Sequence, residues 1–381
     1  MKKWIVCILG IVLTGCVSSS KNTDSGVIVL DGTNVTDKTR ENFDLSAWVK
    51  DWDFAVLEQN DSCQLSKIRQ IKIVGEDVFV VNVEELRSDI YRFTTAGQFR
   101  NRIGRPVSGY GFVTNTVIDS LNRKIYLLDI FESSVHLYDY EGEYLRSYRP
   151  YPLLQYVADA VCLGDNEILG YYGITRDHRL AYFTADSLLL VKDTLSYYEV
   201  GSGNPGVFNF SQNAISHYDG RVLLIRPFCD TIFEYRDRCL RPAFITETGA
   251  SLPVGYQLEN VPDCIGVKSE LEAKGYFPKS GIFETDSHIW VGGGANRLMY
   301  DKQEGRGIYF RDSLCCHPDV FPPLDFIGRK GEFLVALASG GEILEIREAM
   351  KRQGMEPDGK LKELFGKVGE EDYVLFFYLF G

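Results

Sequence analysis

The sequence predicts an all-β fold, a six-bladed β-propeller built from four-stranded antiparallel blades. Residues 123–146, RKIYLLDIFESSVHLYDYEGEYLR, contain three short alternating apolar runs separated by tight polar turns, and the sharpest turn is Glu141-Gly142. Similar meanders recur every few dozen residues along most of the chain. A single meander cannot bury both of its faces, so the recurrence indicates equivalent sheets stacked around one axis. With 381 residues, 45% of them hydrophobic, the chain can bury the large core that such a ring needs.

The N-terminus predicts export. A basic start, Met1-Lys2-Lys3, precedes an apolar run at 4–13, which is followed at once by Leu13-Thr14-Gly15-Cys16. The run is shorter than the roughly 20 residues that a membrane-spanning helix needs, so residues 1–15 are predicted to be a signal peptide. The four residues LTGC resemble the lipobox of bacterial lipoproteins, which implies that Cys16 becomes the lipidated N-terminus, anchored by several acyl chains. A plain secretory leader with a chance cysteine and an uncleaved anchor are the alternatives.

Residues 16–26 are predicted to be a flexible tether, because they are small and polar and show no apolar period. Val17, rather than an aspartate, follows Cys16. By resemblance to lipoprotein sorting rules, this implies the outer membrane. No acidic cluster of the kind that sends some lipoproteins to the cell surface follows Cys16, so the periplasmic face is expected.

Residues 27–381 are assigned to the propeller. Its six units are predicted at 65–103, 117–148, 156–195, 213–246, 280–310 and from 324 onward. In the sixth unit, apolar residues at helical spacing predict helices at 341–352 and 360–368, followed by a strong strand at 372–380. We expect another strand at 27–30 to share a sheet with the C-terminal strand and so to close the ring.

Charge and cysteine content exclude some classes of function. The formal net charge of −12 disfavours nucleic-acid binding, because such a surface repels polyanions. Of nine cysteines, Cys7 lies in the leader and Cys16 takes the lipid, which leaves an odd number. Cys229 and Cys239 flank a predicted hairpin and are either a disulfide or free thiols. The run Cys315-Cys316-His317 lacks a second ligand pair at metal-binding spacing and is interpreted as a loop, so no metal ligand is assigned.

The familiar catalytic motifs are missing from the sequence. The glycine-rich run 201–206 matches a nucleotide-binding pattern by letter, but no helix pattern follows it, and it is interpreted as a turn between blades. Gly292-Gly293-Gly294 is interpreted as a strand exit, and no G-x-S-x-G elbow occurs. The five histidines are scattered, and those within predicted strands are expected to be packed or hydrogen-bonded; the five are His136, His178, His217, His288 and His317.

Two scattered residue sets leave alternatives open. Five aspartates near strand ends could face one rim of the axial funnel or could simply cap turns; they are Asp77, Asp129, Asp165, Asp219 and Asp286. Several aromatic residues could form a surface that stacks against sugars or peptides, or could pack between blades; they are Tyr110, Phe112, Tyr151, Tyr171, Tyr172 and Phe208.

The chain resembles the bacterial six-bladed β-propeller lipoproteins, a largely uncharacterised family. The resemblance covers the mature chain and rests on the turn at 103–112, the strand at 230–235, Tyr300-Asp301-Lys302, and the C-terminal helix followed by DYVLFFYLF. The turn looks like a degenerate form of the family's G-x-x-G-x-G-P-x-E-Y pattern. Because Pro106 comes early and no glutamate follows, no role of that acidic position is carried over. The resemblance implies fold and export and leaves activity open.

The leading functional hypothesis is a lipid-anchored envelope protein, monomeric, whose propeller binds a protein, peptide or glycan ligand without catalysis. The alternative is a metal-assisted hydrolase or lyase acting on carbohydrate or peptide, in which acids from several blades hold Ca²⁺ or another divalent cation at the axial funnel. No other cofactor is expected, and no catalytic or ligand-binding residue is assigned. Function is expected where the repeats disagree, in the turn at 104–112 and the long connection at 248–279, which contains a short predicted helix at 267–273.

Overall fold

The structure is a computed structural model of the 381-residue chain. It describes residues 27–30, 34–38, 45–85, 87–104, 113–129, 131–149, 157–164, 167–172, 180–185, 191–197, 213–226, 229–246, 273–274, 279–293, 296–311, 325–357 and 359–381. The structural statements that follow concern these residues.

The described strands form six sheets. Two short N-terminal strands, β1 (Ile28–Leu30) and β2 (Val35–Asp37), and a 3-10 turn at Ser46–Trp48 precede β3 (Val49–Val56). Sheet 1 contains β4 (Ile68–Val74), β5 (Asp77–Glu84), β6 (Arg87–Thr94) and β7 (Phe99–Ile103). Sheet 2 contains β8 (Val113–Asp119), β9 (Lys124–Asp129), β10 (Ser134–Asp139) and β11 (Tyr144–Tyr148). Sheet 3 contains β12 (Val157–Gly164), β13 (Glu167–Tyr172), β14 (Leu180–Ala185) and β15 (Val191–Tyr197).

The remaining three sheets each include a strand from the N-terminal segment. Sheet 4 contains β16 (Ile215–Tyr218), β17 (Arg221–Ile225), β18 (Thr231–Arg236), β19 (Cys239–Thr246) and β1. Sheet 5 contains β20 (Gly281–Glu284), β21 (His288–Gly293), β22 (Asn296–Asp301), β23 (Arg306–Arg311) and β2. Sheet 6 contains β24 (Phe326–Lys330), β25 (Phe333–Ser339), β26 (Tyr373–Phe380) and β3.

The first strand of each sheet lies at the centre of the molecule. β4 contacts β8, β8 contacts β12, and the series continues through β16, β20 and β24 back to β4. The innermost strands therefore surround one axis, and the architecture is a β-propeller. Burial changes outward along a sheet: β9 is buried along nearly its whole length, whereas four of the five residues of β11 are exposed. Stacking against neighbouring sheets on both faces explains why the second strands are almost continuously apolar.

The predicted fold class is wrong as stated in two respects. Sheets 4 and 5 are not four-stranded antiparallel blades, because β1 adds to β19 and β2 adds to β23 in parallel, which gives five strands each. The strand at Ile28–Leu30 does not share a sheet with the C-terminal strand either; β26 pairs antiparallel with β3. The eight-residue β26 needs a partner of its own length, and Val49–Val56 supplies one, whereas Ile28–Leu30 offers three residues.

Two helices connect β25 to β26 and pack against sheet 6. The first, α1 (Gly340–Arg352), begins with a capping box in which the Ser339 hydroxyl accepts from the Glu342 N–H and the Glu342 carboxylate accepts from the Ser339 N–H. The second, α2 (Gly359–Lys367), buries Leu364 in the cluster that also contains the aromatic residues of β26. Both helices and the C-terminal strand are confirmed to within one residue of their predicted bounds. None of the helices in the described part of the chain is long and apolar enough to cross a membrane.

Candidate functional site

A cavity of about 320 Å³ lies between the innermost strands, and all six of them contribute residues to its wall. It extends from Asn213 and Ile215 in the interior to Gly75, Ser120 and Gly331. Those last three residues follow the ends of β4, β8 and β24, where each innermost strand turns into the second strand of its sheet. We call this end of the propeller the turn face. The cavity therefore opens at the turn face, on the propeller axis.

A buried hydrogen-bond network lies on the axis deeper than the cavity. The Gln70 side-chain amide donates to Asn115 Oδ1 at 2.6 Å, and the Asn115 amide donates to the Val157 carbonyl at 3.0 Å. The Gln70 carbonyl oxygen accepts from both the N–H and the hydroxyl of Thr116, each at 3.0 Å. These contacts join sheets 1, 2 and 3 through side chains that are almost fully buried. A satisfied polar network of this kind fixes the geometry of neighbouring strands.

An ion pair between Lys72 and Asp159 lies next to this network. Lys72 Nζ donates to Asp159 Oδ1 at 2.6 Å, and the other carboxylate oxygen accepts from the Ile215 N–H at 2.9 Å. The Asp159 side chain is only 1% exposed and that of Lys72 is 16% exposed. Complete burial raises the pKa of Asp159, while the Lys72 charge and the backbone N–H groups oppose the rise. Three sheets, numbers 1, 3 and 4, meet at this one carboxylate.

The guanidinium of Arg329 lies at the mouth of the cavity. It donates from Nη1 to the Gly331 carbonyl at 2.9 Å and from Nη2 to the His217 carbonyl at 3.1 Å. Its carbon Cζ lies 4.2 Å from the centroid of the Tyr218 ring, a cation–π geometry. Burial lowers the pKa of Arg329, and Tyr218, Glu332 and Glu284 act from a distance in the opposite direction. His217 is exposed at the mouth, and surrounding atoms and the Arg329 charge lower its pKa.

A second cation, Lys330, lines the cavity on the side of sheet 1. Its Nζ contacts the Glu76 carboxylate at 2.9 Å and donates to the Thr95 hydroxyl at 2.7 Å. Glu76 lies in the turn after β4, and its side chain is 76% exposed. The hydrogen bond from Thr95 lowers the pKa of Glu76, and Lys330 adds to this effect. This exposed carboxylate therefore neutralises Lys330 only partly, because water screens the pair.

A polar cluster flanks the mouth where sheets 4, 5 and 6 meet. The Tyr218 hydroxyl donates to Asp286 at 2.7 Å and also contacts the Glu332 carboxylate, which accepts from the Asp286 N–H at 2.7 Å. Burial, together with these two carboxylates, raises the pKa of Tyr218. Behind it, the buried Glu284 pairs with Lys302 at 2.8 Å and with Arg221 at 3.1 Å. This cluster fixes the ring on which Arg329 rests.

Of the five predicted aspartates, the four that the structure describes do not converge on the cavity. Asp77 pairs with Arg92 at 2.8 Å, Asp219 occupies a turn with a positive φ of 46°, and Asp286 belongs to the polar cluster. Asp129 lies at the opposite end of the propeller and accepts from the N–H groups of Phe131 and Glu132, so turn capping is confirmed there. Asp165 lies outside the described residues. Across the described ranges, no three His, Cys, Asp or Glu side chains form a group that could hold a metal ion.

Of the other side chains singled out in the sequence, most of those that the structure describes lie away from the cavity, packed or hydrogen-bonded within the sheets. His136 is buried between the Ser134 and Ser147 hydroxyls, and His288 is buried beside Ser287, which confirms the packed interpretation for both. Tyr171 is fully buried between sheets. Gly293 ends β21, as expected of a strand exit. Cys229 and Cys239 are free thiols, so the disulfide alternative is wrong.

Several predicted features lie outside the described residues. They are Cys7 and Cys16 with the leader and tether, residues 105–112, Tyr151, His178, the run 201–206, Phe208, most of the connection at 248–279, Gly294 and residues 315–317. The backbone of Tyr172 is described in β13, but its side chain is not. For all of them the sequence-based interpretations stay predictions.

Sequence reasoning missed Lys72, Asp159 and Arg329. Each is a charged residue within an otherwise mostly apolar or neutral innermost strand, in the segments IRQIKIV, VADAVCLG and FIGRK. A charge in the first strand of a propeller repeat points either to the axis or to a neighbouring sheet. That signal was available, but the sequence does not reveal which of these charges meet.

Comparison with known proteins places this propeller in a family. Residues 27–377 match the family described as "Domain of unknown function (DUF4934)", and the chain belongs to it. No curated protein matches the chain. Among solved structures, the chain is similar to a protein of Bacteroides fragilis NCTC 9343 that is named as a candidate exported protein, with a TM-score of 0.69 and 19% sequence identity. That match covers 93% of this chain and 99% of the other.

A second similar structure is a member of the duf4221 family from Bacteroides vulgatus ATCC 8482. It matches with a TM-score of 0.49 and 12% identity over 87% of this chain and 97% of the other. At the 19% identity of the first match, the likeness bears on the fold alone.

Proposed function

We propose that this protein is an exported, lipid-anchored binding protein whose ligand enters the axial cavity from the turn face. The observation that carries the proposal is the cavity itself, which has about 320 Å³ of space, opens on the axis and is lined by polar and charged groups. Small-molecule sites in proteins are concave and combine apolar walls with a few placed polar groups. Here Ile73, Val161 and Phe283 supply apolar wall.

The anchor and location are part of the same proposal. The lipobox-like LTGC and the polar tether support lipidation at Cys16 and attachment to the outer membrane at its periplasmic face. The similar Bacteroides fragilis protein is named as a candidate exported protein, which agrees with export. Labelling with a radioactive fatty acid tests this part: the wild-type chain takes up label in a bacterial host, and Cys16→Ser does not.

A blocking substitution tests whether the ligand uses the cavity. Ser120 lies exposed at the mouth, and Ser120→Trp would place an indole across the opening. Phe131, 62% exposed at the opposite end, gives the matched control Phe131→Trp. A library of envelope metabolites, peptides and glycan fragments is screened by thermal shift. Compounds that raise the Tm of the wild type and the control, but not of Ser120→Trp, are expected; binding that Ser120→Trp leaves unchanged contradicts the proposal.

A further inference from the structure

We propose that the axial cavity recognises an oxyanion, a phosphate or carboxylate group, and that Arg329 is its principal contact. This inference rests on the proposed function, because it names the chemical class of ligand for the same cavity.

The charged side chains that line the cavity all carry positive charge. They are Lys72, Arg329 and Lys330, and no carboxylate among the described residues stands in the wall with them. Lys72 is held by the buried Asp159, and Lys330 is partly balanced by the exposed Glu76. The wall of the cavity therefore carries positive charge within a protein whose formal net charge is −12, while the carboxylates of Asp286 and Glu332 lie beside the mouth, bonded to Tyr218. Cations in the wall of a concave site focus their field into it, which favours an anionic ligand at that point.

Arg329 differs from the other two cations in its partners. Its guanidinium donates to two backbone carbonyls and stacks on Tyr218, and within the part of the chain that the structure describes it forms no ion pair. A guanidinium has five N–H donors, so the two bonds to carbonyls leave donors for a ligand. The planar group also matches the two oxygens of a carboxylate or phosphate. Glu332 and Glu284 attract Arg329 only from a distance, and the former is already shared with Tyr218 and Asp286.

The geometry around Arg329 favours a ligand of this class. The contacts to Gly331, His217 and Tyr218 hold the guanidinium in place before a ligand arrives, which reduces the entropy lost on binding. His217 and Ser120 add polar groups at the same mouth. The cavity has about ten times the share of volume that one water molecule takes in the liquid, which leaves room for an oxyanion and part of the molecule that carries it.

The length of the predicted tether bears on where such an anion could come from. β1 pairs in parallel with the last residues of β19, Ile28 opposite Phe244 and Leu30 opposite Thr246. Eleven residues separate Cys16 from Ile28, which limits the reach of the tether to about 40 Å. A tether of this length allows a chain anchored at Cys16 to bring the turn face to the bilayer. The anion could belong to a lipid headgroup or to a soluble molecule, and the experiment separates the two.

The test uses the full chain in neutral detergent or bound to vesicles. Inorganic phosphate is titrated against sodium chloride at matched ionic strength and followed by thermal shift. In a second arm, the protein is mixed with phosphatidylcholine vesicles with or without phosphatidylglycerol. The variant is Arg329→Gln, and the control Arg347→Gln makes the same charge change at an exposed position on α1.

We expect phosphate to stabilise the wild type and Arg347→Gln, and Arg329→Gln to bind it at least about tenfold more weakly, as the loss of charge-assisted hydrogen bonds predicts. Protection of the wild type by phosphatidylglycerol vesicles at low phosphate identifies a headgroup source; an effect of phosphate alone identifies a soluble one. If Arg329→Gln fails to fold, Lys330→Gln is titrated with phosphate in its place, and a smaller loss of phosphate affinity is expected.

The inference is overturned if neither phosphate nor anionic vesicles affect the wild type, or if Arg329→Gln responds like Arg347→Gln. These failures differ from failure of the proposed function. Suppose that a library compound fails to bind Ser120→Trp but binds Arg329→Gln normally. The cavity would then remain the binding site, and the inference that it recognises an oxyanion would be wrong.

Discussion

The ion pair between Lys72 and Asp159 offers the sharpest test of how the propeller axis is stabilised. Lys72→Met removes the cation from a carboxylate that is fully buried and keeps only backbone N–H donors, including that of Ile215 at 2.9 Å. Breaking one side of a buried pair costs about 3–5 kcal/mol, because the remaining charge is left without compensation. We therefore expect Lys72→Met to lower the free energy of unfolding by about that amount at pH 8, measured by urea denaturation with tryptophan fluorescence.

The stability lost in Lys72→Met should depend on pH, because Asp159 can become protonated. Burial already raises the pKa of Asp159, and removal of Lys72 raises it further. A carboxyl whose pKa is higher in the folded state than in the unfolded state destabilises the fold as pH rises above its unfolded value of about 3.9. The penalty of Lys72→Met should therefore be smaller at pH 5 than at pH 8.

A double variant separates the charge from the packing. In Lys72→Met/Asp159→Asn, the amide oxygen can still accept from the Ile215 N–H, and no buried charge remains. We expect it to recover more than half of the stability lost by Lys72→Met, since the two sites share one interaction. Equal losses for Lys72→Met at pH 5 and pH 8, or additive losses in the double variant, would refute the reasoning.

Two further predictions concern helix α1 and the buried histidine His288. A Cβ at Gly340 would overlap the Gly369 carbonyl, whereas one at Gly341 meets nothing within 4 Å, so Gly340→Ala should cost about 1–3 kcal/mol in urea denaturation and Gly341→Ala should be neutral or stabilising. Equal effects of the two would contradict the packing of α1 on the turn before β26. Burial lowers the pKa of His288, so the unfolded chain binds the proton more readily and stability should fall as pH drops below about 6.5. In His288→Asn the free energy of unfolding should fall less steeply over this pH range. An unchanged pH profile would contradict the conclusion that His288 causes the fall.

The sequence predicted local elements well because their signals are local. The alternation in residues 123–146 and the helical spacing of the C-terminal segments depend on neighbours a few positions apart. The partner of the C-terminal strand was predicted wrongly, because strand pairing depends on residues far apart in the chain. Val49–Val56 reads VKDWDFAV, and its charged positions hid the alternation through which Trp52 and Phe54 pack beside Phe376 in β26.

The candidate site was harder to predict for a related reason. Lys72, Asp159 and Ile215 span more than a hundred residues and meet only because the first strands of sheets 1, 3 and 4 surround one axis. Periodicity places a residue on a strand, but it does not say which residues of different repeats share a level along the axis. The interpretation of strand-end aspartates as turn caps at Asp129 succeeded because a cap is a contact within three residues.

The position of the cavity shows which differences between the repeats bear on function: those in the innermost strands, which line it. The second strands of the sheets are alike, apolar and buried, since each packs between two neighbours; β9, β17 and β21 illustrate this. The first strands differ from one another: one carries Gln70 and Lys72, another Asp159, another Arg329. Packing between sheets does not require these polar groups, and burying them costs free energy unless they are paired. The innermost strands are therefore where this repeated scaffold departs from what stability alone would select.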